Sequence, residues 1–245
     1  MLRNGKPDGA SRYAMVIDVD RCTGCGACIV ACAVENNVPP PPGRVSERTA
    51  VTLIRLERVV AGGEMTYIPV MCQQCEHHTP CASVCPQNAV ELDPATGVVG
   101  QIAQRCLGCR YCIAACPYHA RVFNWHDPEW PAGMETMLNP AVAPRMRGTV
   151  EKCNFCAGRW HEAKEKAAAA GRRGIQAGGY VPACVEACGA GAITFGDLNE
   201  KGSDVAAEAA GGDAFALLAS LETGGKVYYK TRRAEVRRAL TEVKA

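Results

Sequence analysis

Sixteen cysteines dominate the chemistry open to this 245-residue chain. They fall in four groups: Cys22, Cys25, Cys28 and Cys32; Cys72, Cys75, Cys81 and Cys85; Cys106, Cys109, Cys112 and Cys116; and Cys153, Cys156, Cys184 and Cys188. Spacing decides between disulfides and metal sites. Packed C-x2-C pairs suit a shared metal, whereas disulfides commonly join distant segments. Zinc favours such pairs but has no use for the longer run C-x2-C-x2-C-x3-C. That run occurs twice, as CTGCGACIVAC at 22–32 and CLGCRYCIAAC at 106–116. A cubane of four irons wants one soft thiolate at each corner. The x2 gaps let a tight loop set successive sulfurs on neighbouring corners, with Gly24, Gly26 and Gly108 permitting close backbone approach.

The x3 gap does something else. Cys28 to Cys32 is one helical turn, so the fourth sulfur is carried away from the first three. In two-cluster ferredoxins the fourth cysteine of such a run serves the other cluster. Cys32 is therefore a ligand lent outward, and a partner group must return one. Groups two and three share the ending C-P, at Cys85-Pro86 and Cys116-Pro117, and pair on that ground. Groups one and four, which lack it, are left with each other. Sixteen thiolates fill four cubanes with no open corner, which argues against substrate chemistry at iron and leaves one-electron exchange. No Ser/His/Asp set or Gly-rich nucleotide loop stands out, so no catalytic residue is expected and the chain is not by itself an enzyme. His77 and His78 in CEHHTPC, with His119, His126 and His161, read as surface or packing residues. Tyr111, Tyr118, Phe123 and Trp125 are expected to shield clusters from water.

The elements that must position these loops follow a repeat. Apolar runs AMVIDVD and TYIPVM precede cysteine loops. CPQNAV, CPYHAR and CGAGAI, at 85, 116 and 188, each lead through a turn into a short β-like run, VEL, VFNW or ITF. VELDPATGVVGQI reads as a hairpin. Strand, cysteine loop, short helix and strand make an α+β fold, a bacterial ferredoxin unit in two copies. Between the units, NNVPPPPGRVSER is an extended connector, HDPEWPAGMETMLNPAVAPRMRG a long loop suited to partner contact, and 160–170 a helix ended by Gly171. From about 203 the pattern is helical, in DVAAEAA, DAFALLASLE and TRRAEVRRALTEVKA. Its basic residues Lys230, Arg232, Arg233, Arg237, Arg238 and Lys244 form either a docking surface or a solvated face.

The formal charge is +2; four oxidised cubanes at about −2 each would bring it to roughly −6. Neither that balance nor any basic, aromatic-interleaved stripe suits nucleic acid. The N-terminus has no apolar signal run or twin arginine. No stretch approaches the ~18 apolar residues of a membrane span.

Over about 14–196, through VIDVDRCTGCGACIVACAVENN, CQQCEHHTPCASVCPQNAV, RCLGCRYCIAACPYHARVFNW and RGTVEKCNFC, the sequence resembles the four-cluster iron-sulfur electron-transfer subunits of complex molybdoenzymes. These include the dimethyl sulfoxide, polysulfide, tetrathionate and menaquinone reductase subunits and NrfC-like proteins. The resemblance implies two interleaved 2[4Fe-4S] ferredoxin folds with loop insertions and a helical C-terminal tail. The outer domain is 1–63 with 150–200, the inner 64–149, and 201–245 a docking tail. With the shared endings, it implies four [4Fe-4S] clusters: Cys22, Cys25, Cys28 with Cys188; Cys153, Cys156, Cys184 with Cys32; Cys72, Cys75, Cys81 with Cys116; and Cys106, Cys109, Cys112 with Cys85. It further implies a molybdopterin-type catalytic partner and an NrfD-like integral membrane, quinone-interacting partner, with a cytochrome c subunit as a third candidate. The chain would sit peripherally on the bacterial inner membrane through these partners, on either face. EHHTP is one residue longer than the family's common spacing, and the segment before Cys184 is an insertion. A free polyferredoxin carrier is the rival. Anaerobically isolated protein is expected to be brown, with the broad visible absorption of sulfide-to-iron charge transfer; a colourless zinc protein would establish a zinc-stapled module instead.

Overall fold

The computed structural model describes residues 11–41 and 51–241. The first ten residues, 42–50 of the proline-rich connector and Lys244 lie outside them. Strand β1 (Tyr13–Asp18) is apolar at almost every position because both of its faces are covered. Tyr13, Met15 and Ile17 point into the main core, and Ala14 and Val16 into a second, smaller one. Helix α1 (Ala27–Glu35) follows the first cysteine loop, its start set by left-handed Gly26. Strands β2 (Arg55–Ala61) and β3 (Glu64–Val70) form an antiparallel hairpin turned through Gly62 and Gly63, both at positive φ. The boundary expected at 63/64 falls in that turn, so β2 and β3 cross it as one unit.

A short helix α2 (Pro80–Ser83) leads to β4 (Val90–Leu92), which pairs with β5 (Val99–Gln101) as the expected hairpin. Helix α3 (Tyr111–Ala114) precedes β6 (Val122–Phe123), paired with β7 (Val150–Glu151). The long loop between those strands carries one 3-10 turn, Met134–Met137. It is fastened where Asn37 Nδ2 donates to Asn139 O (2.9 Å) and Asn139 N to Asn37 Oδ1 (2.8 Å). Helix α4 (Ala157–Ala169) runs to left-handed Gly171, as the alanine-rich segment implied. Then come α5 (Ala183–Glu186) and β8 (Ile193–Asp197), which pairs antiparallel with β1. Helix α1 packs on α5, and α2 on α3.

The tail departs from its helical reading. Two helices do form, α6 (Asp204–Ala209) and α7 (Ala234–Thr241). Between them lie β9 (Ala214–Ala216) and β10 (Val227–Lys230), and the main sheet runs β8-β1-β10-β9 with β10 parallel to β1. Helical propensity in DAFALLASLE is overridden because Phe215 and Leu217 find buried positions in the core only as an edge strand and its exit. Val227 and Tyr229 are fully buried, and Tyr229 OH donates to Pro69 O (2.9 Å). The basic residues are largely engaged within the chain: Lys230 with Asp18 and Glu208, Arg233 with Asp20 and Glu64, and Arg237 with two backbone carbonyls. Residues 201–241 are thus built into the core through β9 and β10. Among the described residues no helix is long and apolar enough to cross a membrane.

Chemical denaturation checks this. Tyr229→Ala should lose about 3–5 kcal/mol, the usual cost of truncating a buried aromatic, and Tyr229→Phe about 1 kcal/mol for the hydrogen bond. An appended arm would predict changes within about 0.5 kcal/mol for both.

Candidate functional site: the cysteine row

Each cysteine loop turns at the same place. The residue before the second cysteine is left-handed in all four: Gly24 (φ 72), Gln74 (φ 52), Gly108 (φ 70) and Phe155 (φ 56). This reversal lets the two flanking sulfurs point to one side. Glycine adopts it freely; Gln74 and Phe155 do so at a cost of order 1 kcal/mol that burial and hydrogen bonds offset. Gln74 is fully buried, donates through Nε2 to Cys153 O (2.8 Å) and accepts from Val99 N–H at Oε1 (2.7 Å). It thereby ties group two to group four and to the β4–β5 hairpin. Phe155 packs edge-on against Phe195 at 5.3 Å, and Tyr180 OH donates to its carbonyl.

The repeated phrases have an equally local cause. Asn88, His119 and Gly191, three residues after Cys85, Cys116 and Cys188, are all left-handed. The next amide then points back at sulfur. Ala89 N donates to Cys85 Sγ (3.2 Å), Ala192 N to Cys188 Sγ (3.3 Å), and the Ala120 amide to Cys116. Cys32 lacks this phrase, and a side chain substitutes. Asn36 Nδ2 donates to Cys32 O (2.9 Å), with Cys32 Sγ at 3.6 Å and Cys156 Sγ at 4.0 Å.

Cys72, Cys75, Cys81 and Cys116 line one cavity, shared with Tyr118 and Arg121. Cys85, Cys106, Cys109 and Cys112 line a second, walled by Val90 and Val150. Cys22 and Cys28 each lie close enough to Cys188 and Cys25 to raise their thiol pKa values, after the larger effect of burial. Cys184 likewise faces Cys153, Cys156 and Cys32. Neighbouring gatherings lie within electrostatic reach of one another in sequence: Cys28 acts on Cys32, Cys72 on Cys153, and Cys81 on Cys112. The four gatherings therefore follow one another as a row. Its two middle gatherings are buried except for half-buried Cys116, while Cys25 in the first gathering and Cys109 in the last are exposed.

Burial holds these thiols above their ordinary range, Cys28 and Cys75 at about 11 and Cys153 at about 12, with facing thiols adding to the effect. Cys25 is drawn down, chiefly by the Ala27 amide and then by Thr23. Among the described residues no three His, Cys, Asp or Glu side chains gather tightly enough to chelate a single ion. A cubane, with its thiolates spread over four irons, fits this wider spacing, the amide donors and the apolar walls.

Several contributors escape the cysteine pattern. Thr223 of the tail hydrogen-bonds Tyr118 (2.6 Å between the hydroxyl oxygens) and opposes the upward push of burial on the Cys75 thiol. The loop amides of Glu76 and His77 both donate to Thr223 O (3.2 Å), seating the lengthened EHHTP loop against the tail. Lys152 is buried beside the row and donates to the carbonyls of Val99 and Cys153. His77, His78, His119, His126 and His161 are all exposed. Of the four aromatics, Tyr118 is buried, Phe123 and Trp125 lie under the Arg110 guanidinium (5.3 and 5.0 Å), and Tyr111 is exposed.

Two family models, each a 4Fe-4S dicluster domain, match residues 18–89 and 63–132. The menaquinone reductase iron-sulfur cluster-binding subunit of Nitratidesulfovibrio vulgaris is 45% identical, over 93% of this chain and 91% of the relative. The chain belongs to the iron-sulfur subunit family of complex iron-sulfur molybdoenzymes. The Hdr-like menaquinol oxidoreductase iron-sulfur subunit 1 of Archaeoglobus fulgidus is 38% identical over 89% of the chain and 82% of the relative. Protein NrfC of Escherichia coli is 35% identical over 79% and 69%. The fold is accordingly a pair of 4Fe-4S dicluster, ferredoxin-like domains with small sheets and short helices.

Within this family subunit the loop glycines are not equivalent. A Cβ at Gly108 would collide with the Gly148 carbonyl, whereas one at Gly26 (φ 78) meets open space. Gly26→Ala should cost only the left-handed strain, about 1 kcal/mol. Gly108→Ala should lose more and isolate with less iron. Iron content and thermal melting, compared side by side, check the difference.

Proposed function

We propose that this chain is the electron-transfer subunit of a membrane-associated respiratory oxidoreductase, carrying four [4Fe-4S] clusters between a quinone-reactive membrane subunit and a molybdopterin-type catalytic subunit. The observation that carries the reading is the row of four thiol gatherings with an exposed cysteine in the first and the last. The ligand sets are Cys22, Cys25, Cys28 and Cys188; Cys32, Cys153, Cys156 and Cys184; Cys72, Cys75, Cys81 and Cys116; and Cys85, Cys106, Cys109 and Cys112. Contacts of α1 with α5 and β1 with β8 support two interleaved ferredoxin folds, as do those of α2 with α3 and β4 with β5. Each bound cubane accepts and returns one electron at a potential tuned by charge, hydrogen bonds and exposure. The chain's own part is to fix the order of the cavities, exclude water from the inner ones and supply N–H donors to sulfur.

The named relatives are subunits of menaquinone-linked and other reductase complexes, which favours fixed partners over a free shuttle. The chain itself catalyses nothing in this reading. It sits at the bacterial inner membrane through an NrfD-like integral subunit, with a cytochrome c subunit as a further candidate neighbour. Purification from native membranes should yield a stable complex with these subunits by mass spectrometry; recovery as a free monomer active as a diffusible mediator would instead establish the polyferredoxin reading. Ligand lending has its own test. Cys32→Ser should alter the EPR signal of the cluster held by Cys153, Cys156 and Cys184, and loss confined to the Cys22 set would reject the pairing.

A further inference from the structure

The three repeated phrases place one structurally equivalent residue directly after the sulfur-bonding alanine: Val90, Arg121 and Ile193. All three are buried. Two are apolar, as a strand entering a core requires, and the third is a guanidinium only 5% exposed. A charge in that position needs compensation. Arg121 Nη1 donates to Gln101 Oε1 (2.8 Å), a neutral partner, and among the described residues Nη2 has no hydrogen-bond partner. The groups that surround it are sulfurs. Arg121 lines the cavity of Cys72, Cys75, Cys81 and Cys116, and Gln101, which it holds, lines the neighbouring cavity of Cys85, Cys106, Cys109 and Cys112.

We propose that Arg121 is a bridging guanidinium whose buried charge raises the reduction potentials of the third and fourth clusters of the row together, those of Cys81 and of Cys112. This rests on the four-cluster reading above. Each cubane gains one negative charge on reduction, so a fixed buried cation beside its thiolates stabilises the reduced form more than the oxidised form. The comparison with Arg145 sharpens the assignment. Arg145 is also buried and faces Cys32, but it is ion-paired with Glu151, so much of its field on that sulfur is cancelled. Arg121 forms no carboxylate pair among the described residues; its charge is directed at the sulfurs. Burial opposes the charged form of Arg121, and Cys81, Cys112 and Cys72 act in the other direction. The planar fork gives Nη1 to Gln101 and leaves Nη2 to the cysteine cavity, a division that a lysine ammonium does not reproduce.

Potentiometric EPR on anaerobically purified holoprotein tests this, with the third and fourth signals assigned through Cys75→Ser and Cys109→Ser. Arg121→Gln should raise the oxidised-to-reduced ratio of both of these clusters at least about tenfold at fixed solution potential, a fall of about 59 mV for one electron. The first and second clusters should keep their wild-type midpoints. Arg121→Lys, which retains charge without the planar guanidinium, should give a smaller fall and should still hold its clusters if the Gln variant does not. Unmoved third and fourth midpoints in Arg121→Gln, an equal shift of all four clusters, or a Lys variant as low as the Gln variant would each overturn the proposal. A wild-type protein lacking four cubane signals would sink the cofactor reading itself, a failure distinct from these.

Discussion

One backbone constraint underlies the site: a C-x2-C loop can aim both sulfurs inward only by passing through a left-handed residue before the second cysteine. Where the loop lies near the surface the chain uses glycine, at Gly24 and Gly108. Where the loop is buried it uses Gln74 and Phe155, and each forced conformation becomes a fastening point. Gln74 reaches across to Cys153 and Val99, and Phe155 anchors the aromatic set of Tyr13, Tyr180 and Phe195. Strain and cohesion are thus coupled at the same residues. The loops that carry the inner junctions of the row are the ones most firmly built into the core.

The cysteine spacing, the strand before each loop, the β4–β5 hairpin and helix α4 were legible in the sequence because each depends on neighbours only a few residues away. The repeat CxxxA was visible as a phrase, but its reason, an alanine amide returned to sulfur through a left-handed turn, is a backbone fact. The tail was misread for the opposite reason. Strands of three or four residues such as AFA and VYYK carry little periodicity; AFA pairs with VYYK, whose other partner, β1, lies about two hundred residues earlier. Thr223, which acts on Cys75, could not be found without that long-range pairing. Arg121 had a signal in the sequence, since CPYHAR differs from CPQNAV and CGAGAI at its last position. Only its burial turns that difference into chemistry.

Electrostatics gives the interior its second organising rule. A chain of nearly balanced charge that takes up anionic cubanes becomes more acidic, and most of the cysteines that would hold that charge are buried or half-buried. Among the described residues four cationic side chains are buried: Arg121, Arg145, Lys152 and Lys226. They are not interchangeable. Lys226 pairs with Glu76 at 3.7 Å and bonds Gln74 O, locking the tail to group two, and Arg145 is held by Glu151. Lys152 spends its donors on backbone carbonyls. Arg121 lines a cavity of four cysteines and holds Gln101 in the lining of the next.

The distribution of exposure along the row then argues for the kind of protein this is. A diffusible carrier needs one accessible cluster, through which it both receives and gives. Here the exposed cysteines are Cys25 and Cys109, in the first and last gatherings, while Cys32, Cys72, Cys153 and Cys184 between them are buried. Water is kept from the middle, where it would stabilise charge locally and trap it. Such an arrangement serves an electron that enters at one end and leaves at the other, which requires two partners held at once. The long loop fastened by Asn37 and Asn139 to the end of α1 and the core-embedded tail supply rigid surface of the kind that fixed partners need.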